Sequence, residues 1–429
     1  MKLSKDSIAK ILIFFLLLTT FLPLFYANAP TPFRSFRFFW GPLWLIFFVI
    51  FETKLFQNKL VLRFAGYGII FGIIFPLLIW QNLDDWYREF LYKEIYVYAI
   101  AITTFVYIYD KRYTDLPRQI VILILVFIGI TAIMSIITLS IDPMYARKMT
   151  AASSGYSTSE EGIYMSKYGG GTYSYGQSIA IMIPVLVYYY KNSHLVIWSK
   201  KVIGLYLLLI LFTLLRMQFF ANIIVGFTGL AISLAGLKNI RISVSIVVLL
   251  LIFAISIPKS IYINALLEAS TYFDANSENA FKLKEAATFL EYGGQVSEQN
   301  AVGDRVARYP ELIEAFVHRP FFGNFLSNSP YDIGKAYHIY LGARLATVGI
   351  FLFLIYIWFH YLFIRIGFRR IKNTSYIFYY LLAIIMFISL ALMKNISGRD
   401  VWFTYFLLIP FAYNLSKNTK KNQLLKNDK

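Results

Sequence analysis

Residues 203–236 read IGLYLLLILFTLLRMQFFANIIVGFTGLAISLAG. Only Arg216 interrupts the apolar run with a charge. A bilayer is crossed by about 20 apolar residues in a helix. The stretch is far too long for one crossing, so the chain must turn near Arg216 and cross again. Two membrane spans joined by a minimal turn are therefore expected here. That reading sets the fold class for the rest of the chain.

Working outward, apolar runs of about 18 residues or more recur from end to end. The chain of 429 residues is 58% apolar and 19% aromatic, above the roughly 45–50% apolar of soluble domains, with a mean hydropathy of +0.60. About twelve spans are predicted, at roughly 8–26, 38–56, 60–80, 94–110, 118–141, 177–191, 201–216, 217–237, 241–262, 337–364, 375–393 and 400–416. The fold class is thus an all-α polytopic membrane helix bundle. The first run lacks a clean small-residue cleavage site, so it reads as a retained span rather than a signal peptide. A single transmembrane domain, 1–416, precedes a polar, basic tail, 417–429, expected to lie disordered against the inner leaflet.

Twelve spans put both termini on one side. With that side taken as the cytoplasm, its segments hold the whole excess of +18, while the charges of the outer segments cancel. This follows the positive-inside rule. The basic balance is a topology signal and gives no reason to expect nucleic acid as a partner. The chain has no cysteine, which removes disulfides, thiolate chemistry and zinc–thiolate sites.

Two outer loops are long. The first, about 142–176, is rich in Ser, Gly and Tyr. The second, about 263–336, has helical spacing at Phe281–Leu290 and again at Val306–Phe316, expected as helices that cap the bundle at the membrane face. Gly169-Gly170-Gly171 lacks the preceding strand and following Lys-Ser/Thr of a phosphate loop, and reads as flexible loop. No HExxH, paired-cysteine, nucleophile-elbow or EF-hand pattern is present, so no metal and no cofactor is assigned.

The outer segments instead concentrate cations and histidines. Arg305, Arg308, His318, Arg319, His338 and Arg344 fall within 303–349. Cations between membrane spans are costly unless they bind something anionic. Arg305, Arg308 and Arg319 could equally pair with Asp304, Glu311 and Glu314 as surface ions. Arg216 could snorkel to the headgroups or bind a phosphate bidentately. Lys394 and Arg399 flank a turn before the last span, and Arg147 and Lys148 sit in the first loop, where each can serve as a simple anchor. His338 lies at the outer mouth of the tenth span, where a neutral imidazole can accept a hydroxyl proton. His194 falls on the inner side and His360 in the inner half of a span.

These strings resemble one family. GDRVARYPELIEAFVHRPFFGN (303–324) is similar to the Arg, helix, Pro-x-x-Gly pattern of the O-antigen ligase and polymerase superfamily. HIYLGARLATVGI (338–350) resembles that family's His, ten residues, Gly motif at the start of a span. TLLRMQFFANIIVGF (213–227) places Arg216 where the family carries a Ser-Arg pair, and YGGGTYSYGQSIAIMIPV (168–185) is similar to the loop entering a middle span. Ile339 and Leu215 depart from the family's residues at those places. The approach YDIGKAYHIYLGARLATVGI resembles the polymerases of O-antigens and capsules more than the ligases.

The resemblance implies an enzyme that moves a glycan from an undecaprenyl-diphosphate donor to a glycan acceptor hydroxyl, outside the cytoplasmic membrane. It implies catalytic roles for His338, Arg216 and Arg305, with Arg319, His318, Arg344 and Arg399 binding substrate, and a chain-length regulator protein as a further partner. The product would be O-antigen, capsular or exopolysaccharide. A ligase acting on a lipid A core is the nearest alternative. A lipid-linked glycan transporter is the other, but transporters gather charge near the midplane and repeat their halves, and this sequence does neither.

Overall fold

The computed structural model describes residues 4–74, 77, 94–112, 114–149, 156–236, 258–272, 278–292, 301–324, 339–371, 374–396 and 398–415. The described residues are overwhelmingly helical and form no sheet. The helices are α1 (Lys5–Phe21), α2 (Pro23–Asn28), α3 (Gly41–Phe51), α4 (Lys59–Ile69), α5 (Tyr96–Asp110), α6 (Leu116–Ile141), α7 (Tyr145–Lys148), α8 (Glu160–Ser166), α9 (Tyr173–Lys191), α10 (Lys200–Arg216) and α11 (Phe220–Ala235). They continue as α12 (Lys259–Thr271), α13 (Glu278–Tyr292), α14 (Ala301–His318), α15 (Tyr340–Arg370), α16 (Thr374–Met393), α17 (Arg399–Phe403) and α18 (Ile409–Phe411).

Among the described residues, three helices are long and apolar enough to cross a membrane: Leu116–Ile141, Tyr340–Arg369 and Ser375–Met393. Phe36–Phe51, Tyr96–Asp110 and Phe220–Ala235 are shorter apolar helices. The bilayer is therefore the environment this chain is built for. The expected span at 241–262 lies largely outside the described residues, as do the tail 417–429 and the last few residues of the run 60–80.

The chain divides into two compact units, Met1–Leu234 with Ile355–Lys429, and Ala235–Leu354. The first unit buries an aromatic centre. His360 lies among Tyr98, Tyr356 and Tyr405, with Nε2 3.3 Å from the Tyr98 hydroxyl and Nδ1 3.4 Å from that of Tyr405. Tyr98 and Tyr356 share a further hydrogen bond of 3.2 Å. A ring with two nitrogens needs a partner at each when buried, and the tyrosines supply them.

Small residues let α11 pack closely. Gly226 faces Leu214 and Ile183, and Gly229 lies against Met386 of α16 so closely that a Cβ would clash with its sulfur. Lys191, at the end of α9, donates to the carbonyls of Ser233 and Leu234 at 3.0 and 2.5 Å. A cation on the terminal carbonyls of α11 meets both their unfilled acceptors and the negative end of the helix dipole.

In the second unit α12, α13 and α14 supply the helical pieces expected in the loop about 263–336. Leu312 and Ala315 of α14 bury themselves on Ile339, Ala343 and Ala346, so α14 lies along the first part of α15.

Candidate functional site

The turn expected near Arg216 is there. α10 ends on Arg216, Met217 to Phe219 reverse the chain, and α11 starts at Phe220. Gln218 takes the left-handed conformation, φ 57°, which costs a side-chain-bearing residue about 1–2 kcal/mol. Two arginines hold the turn in place. Arg147 Nη2 donates to the Gln218 carbonyl at 2.7 Å, and Arg216 Nη2 donates to the Leu139 carbonyl at 3.0 Å. Leu139 lies in the last turn of α6, where carbonyls lack helical partners. Arg216 is half-buried, and among the described residues this bond takes one of its five N–H groups.

The first turn of α9 stands between Arg216's turn and that of Arg399. Tyr173 packs its ring edge-on to Phe219, with centroids 4.7 Å apart, and Gly176 sits on Asn222 and Met217. On the other side Ser174 hydrogen-bonds Asp400 and touches Gly398, while Gln177 Nε2 donates to the Asn395 carbonyl at 2.9 Å. Arg399 lies over the rings of Tyr26 and Phe36, 5.6 and 4.9 Å from their centroids. A positive helix end flanked by two guanidinium-bearing turns is a setting suited to an anion.

The first loop is tied to the same end of the bundle. Asp142 accepts from the Met144 amide at 2.9 Å, from Lys148 at 3.0 Å and from the Tyr156 hydroxyl at 3.1 Å. Burial works to raise the Asp142 carboxyl, but the hydrogen bonds from Lys148, Met144 and Tyr156 outweigh it and hold the pKa below the usual 3.8. Burial and the Asp142 charge in turn push the Tyr156 phenol up. So Lys148, read from sequence as a simple anchor, belongs to a three-way clasp. Nothing at 142, 148 and 156 in sequence alone marks them as partners.

The clasp has a pH signature. A carboxyl depressed by folding adds stability in full above its unfolded pKa, near 3.8, and loses it as pH falls toward the lower folded value. Asp142→Asn is expected to cost about 1 kcal/mol at pH 7, kept small by the exposure of Lys148. The melting-temperature gap to the natural protein in detergent should stay constant from pH 6 to 8 and shrink below pH 4. A gap that widens in acid would contradict the clasp.

The glycine run is a correction. Gly169 lies on the backbone of Leu24, Gly170 on Thr138 and Tyr145, and Gly171 on the Tyr175 ring. The Gly171 amide donates to Ser135 Oγ at 2.8 Å. Three residues without Cβ atoms make a close-packed joint here rather than a slack loop.

In the second unit the two strings read from sequence meet each other. Pro320-Phe321-Phe322-Gly323 folds onto Gly349, the glycine that ends HIYLGARLATVG. Gly323 and Gly349 both take positive φ, 75° and 71°. A Cβ on Gly323 would strike the Thr347 carbonyl, and one on Gly349 would meet Phe321 and Gly323 backbone. The Ile350 amide donates to the Pro320 carbonyl at 2.7 Å. Asn324 Nδ2 bridges both helices, donating to the Ala315 carbonyl at 2.6 Å and the Ala346 carbonyl at 3.0 Å.

The clasp coincides with a break in the helix that was expected to span from about 337. Gly349, with φ 71° and ψ 174°, breaks α15. Roughly 20 residues follow the break, about 30 Å of helix, which matches the hydrocarbon thickness. The segment Tyr340–Val348 precedes that length. Arg344, within it, is buried, with its guanidinium 4.9 Å from the centroid of the Tyr340 ring.

The remaining site residues are placed as follows. Arg319 is half-buried just past α14 and His318 is exposed at its end. Arg305 and Arg308 fall in the first turns of α14, but their side chains lie outside the described ones, and His338 lies outside the described residues altogether. Arg216 and Arg399 belong to the first unit, and Arg305, His318, Arg319, His338 and Arg344 to the second. Among the described residues no cluster of His, Asp and Glu could hold a metal ion. No family model and no curated protein matches the chain.

Proposed function

We propose that the chain is an integral-membrane glycosyltransferase that joins undecaprenyl-diphosphate-linked repeat units into O-antigen or capsular polysaccharide. In this reading it crosses the cytoplasmic membrane about twelve times, with both termini inside and the site on the outer face. The observation that supports it most is Arg216. This cation stands at the turn of an apolar hairpin, beside the positive end of α9, with most of its guanidinium donors uncommitted among the described residues.

The chemistry fits arginines and one histidine. A diphosphate leaves well once its charge is neutralised, so it needs cations more than a proton donor. Arg216 and Arg305 hold the diphosphate, with Arg319 and Arg399 assisting and His318 and Arg344 lining the substrate. His338 takes the proton from the acceptor hydroxyl. The hydroxyl oxygen forms the new bond at the anomeric carbon as that carbon's bond to the diphosphate oxygen breaks. The electron pair departs with the diphosphate, and attack from the opposite face inverts the centre.

The test is a deletion strain carrying His338→Ala at normal protein level. Loss of long-chain polymer, with a single repeat unit left on its acceptor, is expected. Normal polymer would overturn the site. Polymer stranded on the lipid carrier would assign the chain to the ligases instead.

A further inference from the structure

Alongside its packed side, α14 carries an apolar strip that is open. Leu312 and Ala315 are buried against α15, yet Ile313 and Val317 of the same helix are more than half exposed. So are Phe321 and Phe322 in the clasp, and Phe351 and Leu354 just past the Gly349 break. The rings form one group. Phe321 stacks on Phe351 with centroids 5.6 Å apart, and Phe322 lies 5.8 Å from the same ring. Exposed apolar side chains grouped in this way on a protein mark a partner.

Continuity identifies the partner. Phe351 and Leu354 belong to Tyr340–Arg369, a helix long and apolar enough to cross a membrane. The exposed side chains of such a helix face lipid, and the clasp rings extend that same surface without a gap. His318 and Arg319 border it, where cations meet headgroups. A second protein would need to share this surface with the lipid already touching Phe351.

We propose that Ile313, Val317, Phe321 and Phe322 are immersed in the bilayer interface, and that the Gly349 break marks the membrane boundary of the span. The inference goes beyond glycan transfer and does not depend on it. α14 then lies along the membrane surface as an amphipathic interfacial helix. The clasp holds it at a fixed depth.

The lack of cysteine in the chain allows a direct test. A nitroxide label is placed singly at Val317→Cys, Phe322→Cys, Phe351→Cys or Glu311→Cys, and the full chain is reconstituted in phosphatidylethanolamine–phosphatidylglycerol nanodiscs. Collision with oxygen is compared with collision with a water-soluble nickel chelate. Positions 317, 322 and 351 are expected to favour oxygen, with 351 deepest, and 311 to favour nickel. Nickel access at 317 and 322 equal to that at 311 would overturn the proposal. So would labels at 317 and 322 shielded from both reagents, which would point to a protein lying on this face. Glycan transfer is assayed separately on the same variants, so loss of activity with lipid access intact leaves this inference standing.

Discussion

Arg216→Ala is expected to lower glycan transfer by about 10²- to 10³-fold, the usual loss when a charge-stabilising donor is removed from a transition state. The fold should lose only about 1 kcal/mol, because the bond from Arg216 to the Leu139 carbonyl is one hydrogen bond at a half-buried helix end. Those two magnitudes separate the roles. If Arg216 merely caps α6, protein level and melting temperature would fall together with activity. If it holds the diphosphate, activity falls while the melting temperature barely moves. Arg216→Lys sharpens the comparison. A lysine can still reach a carbonyl with a point charge, but it cannot grip a phosphate with two parallel N–H groups. It is expected to restore the cap and leave most of the transfer defect. Full polymer synthesis by the alanine variant would sink the assignment.

Gly323→Ala is expected to open the clasp in the second unit. The left-handed backbone strains an alanine by about 1–3 kcal/mol. The Cβ also meets the Thr347 carbonyl, which is backbone and cannot swing aside. A local loss of about 3 kcal/mol corresponds to roughly 100-fold in an opening equilibrium. The place to read it is the Ile350 amide, which donates to the Pro320 carbonyl. Its hydrogen exchange should accelerate by about that factor, while amides in α9 stay unchanged. Unchanged exchange at Ile350 would mean the two glycines touch without holding each other. Gly349→Ala is expected to act in the same direction, since Gly349 fails the same two conditions, φ and space.

The parts of this fold that depend on local pattern were legible in the sequence. An apolar stretch interrupted by a single arginine forces a turn, and the turn stands within three residues of Arg216. The helical spacing at 306–316 is now part of α14. What escaped the sequence depends on distant partners. A lone glycine in an apolar run is compatible with an unbroken helix, so Gly349 gave no hint of a break until Gly323 was seen lying on it. The glycine run at 169–171 looks loose because sequence cannot show that Thr138, Tyr145 and Tyr175 fill the space around it. Asp142 looks like any loop acid until Lys148 and Tyr156 close on it. His360 reads as an inner-half histidine in sequence, where Tyr98 and Tyr405, the partners of its two ring nitrogens, lie far from it in the chain.

Of the candidate site, residue types can be read from sequence and their arrangement cannot. Arginine and histidine types pointed to an anionic substrate, and the turns at Arg216 and Arg399 do flank one helix end. The helix end itself, Tyr173 to Gln177, lies within the string 168–185, but none of its residues carried an expected role. Its residues are polar but unremarkable in sequence, and only the contacts to Phe219, Asn222, Gly398 and Asn395 show what it separates.

The turn between α10 and α11 also limits how this protein can vary. Three residues join two helices that pack through Leu214 and Gly226, and Gly229 of the second fits against Met386 of α16. One extra residue would rotate α11 by about 100°, swinging both glycines off the surfaces they fit and presenting larger side chains there. Point changes at the turn can be absorbed, but changes in length cannot. Arg216 is therefore fixed in position by counting, whatever it binds.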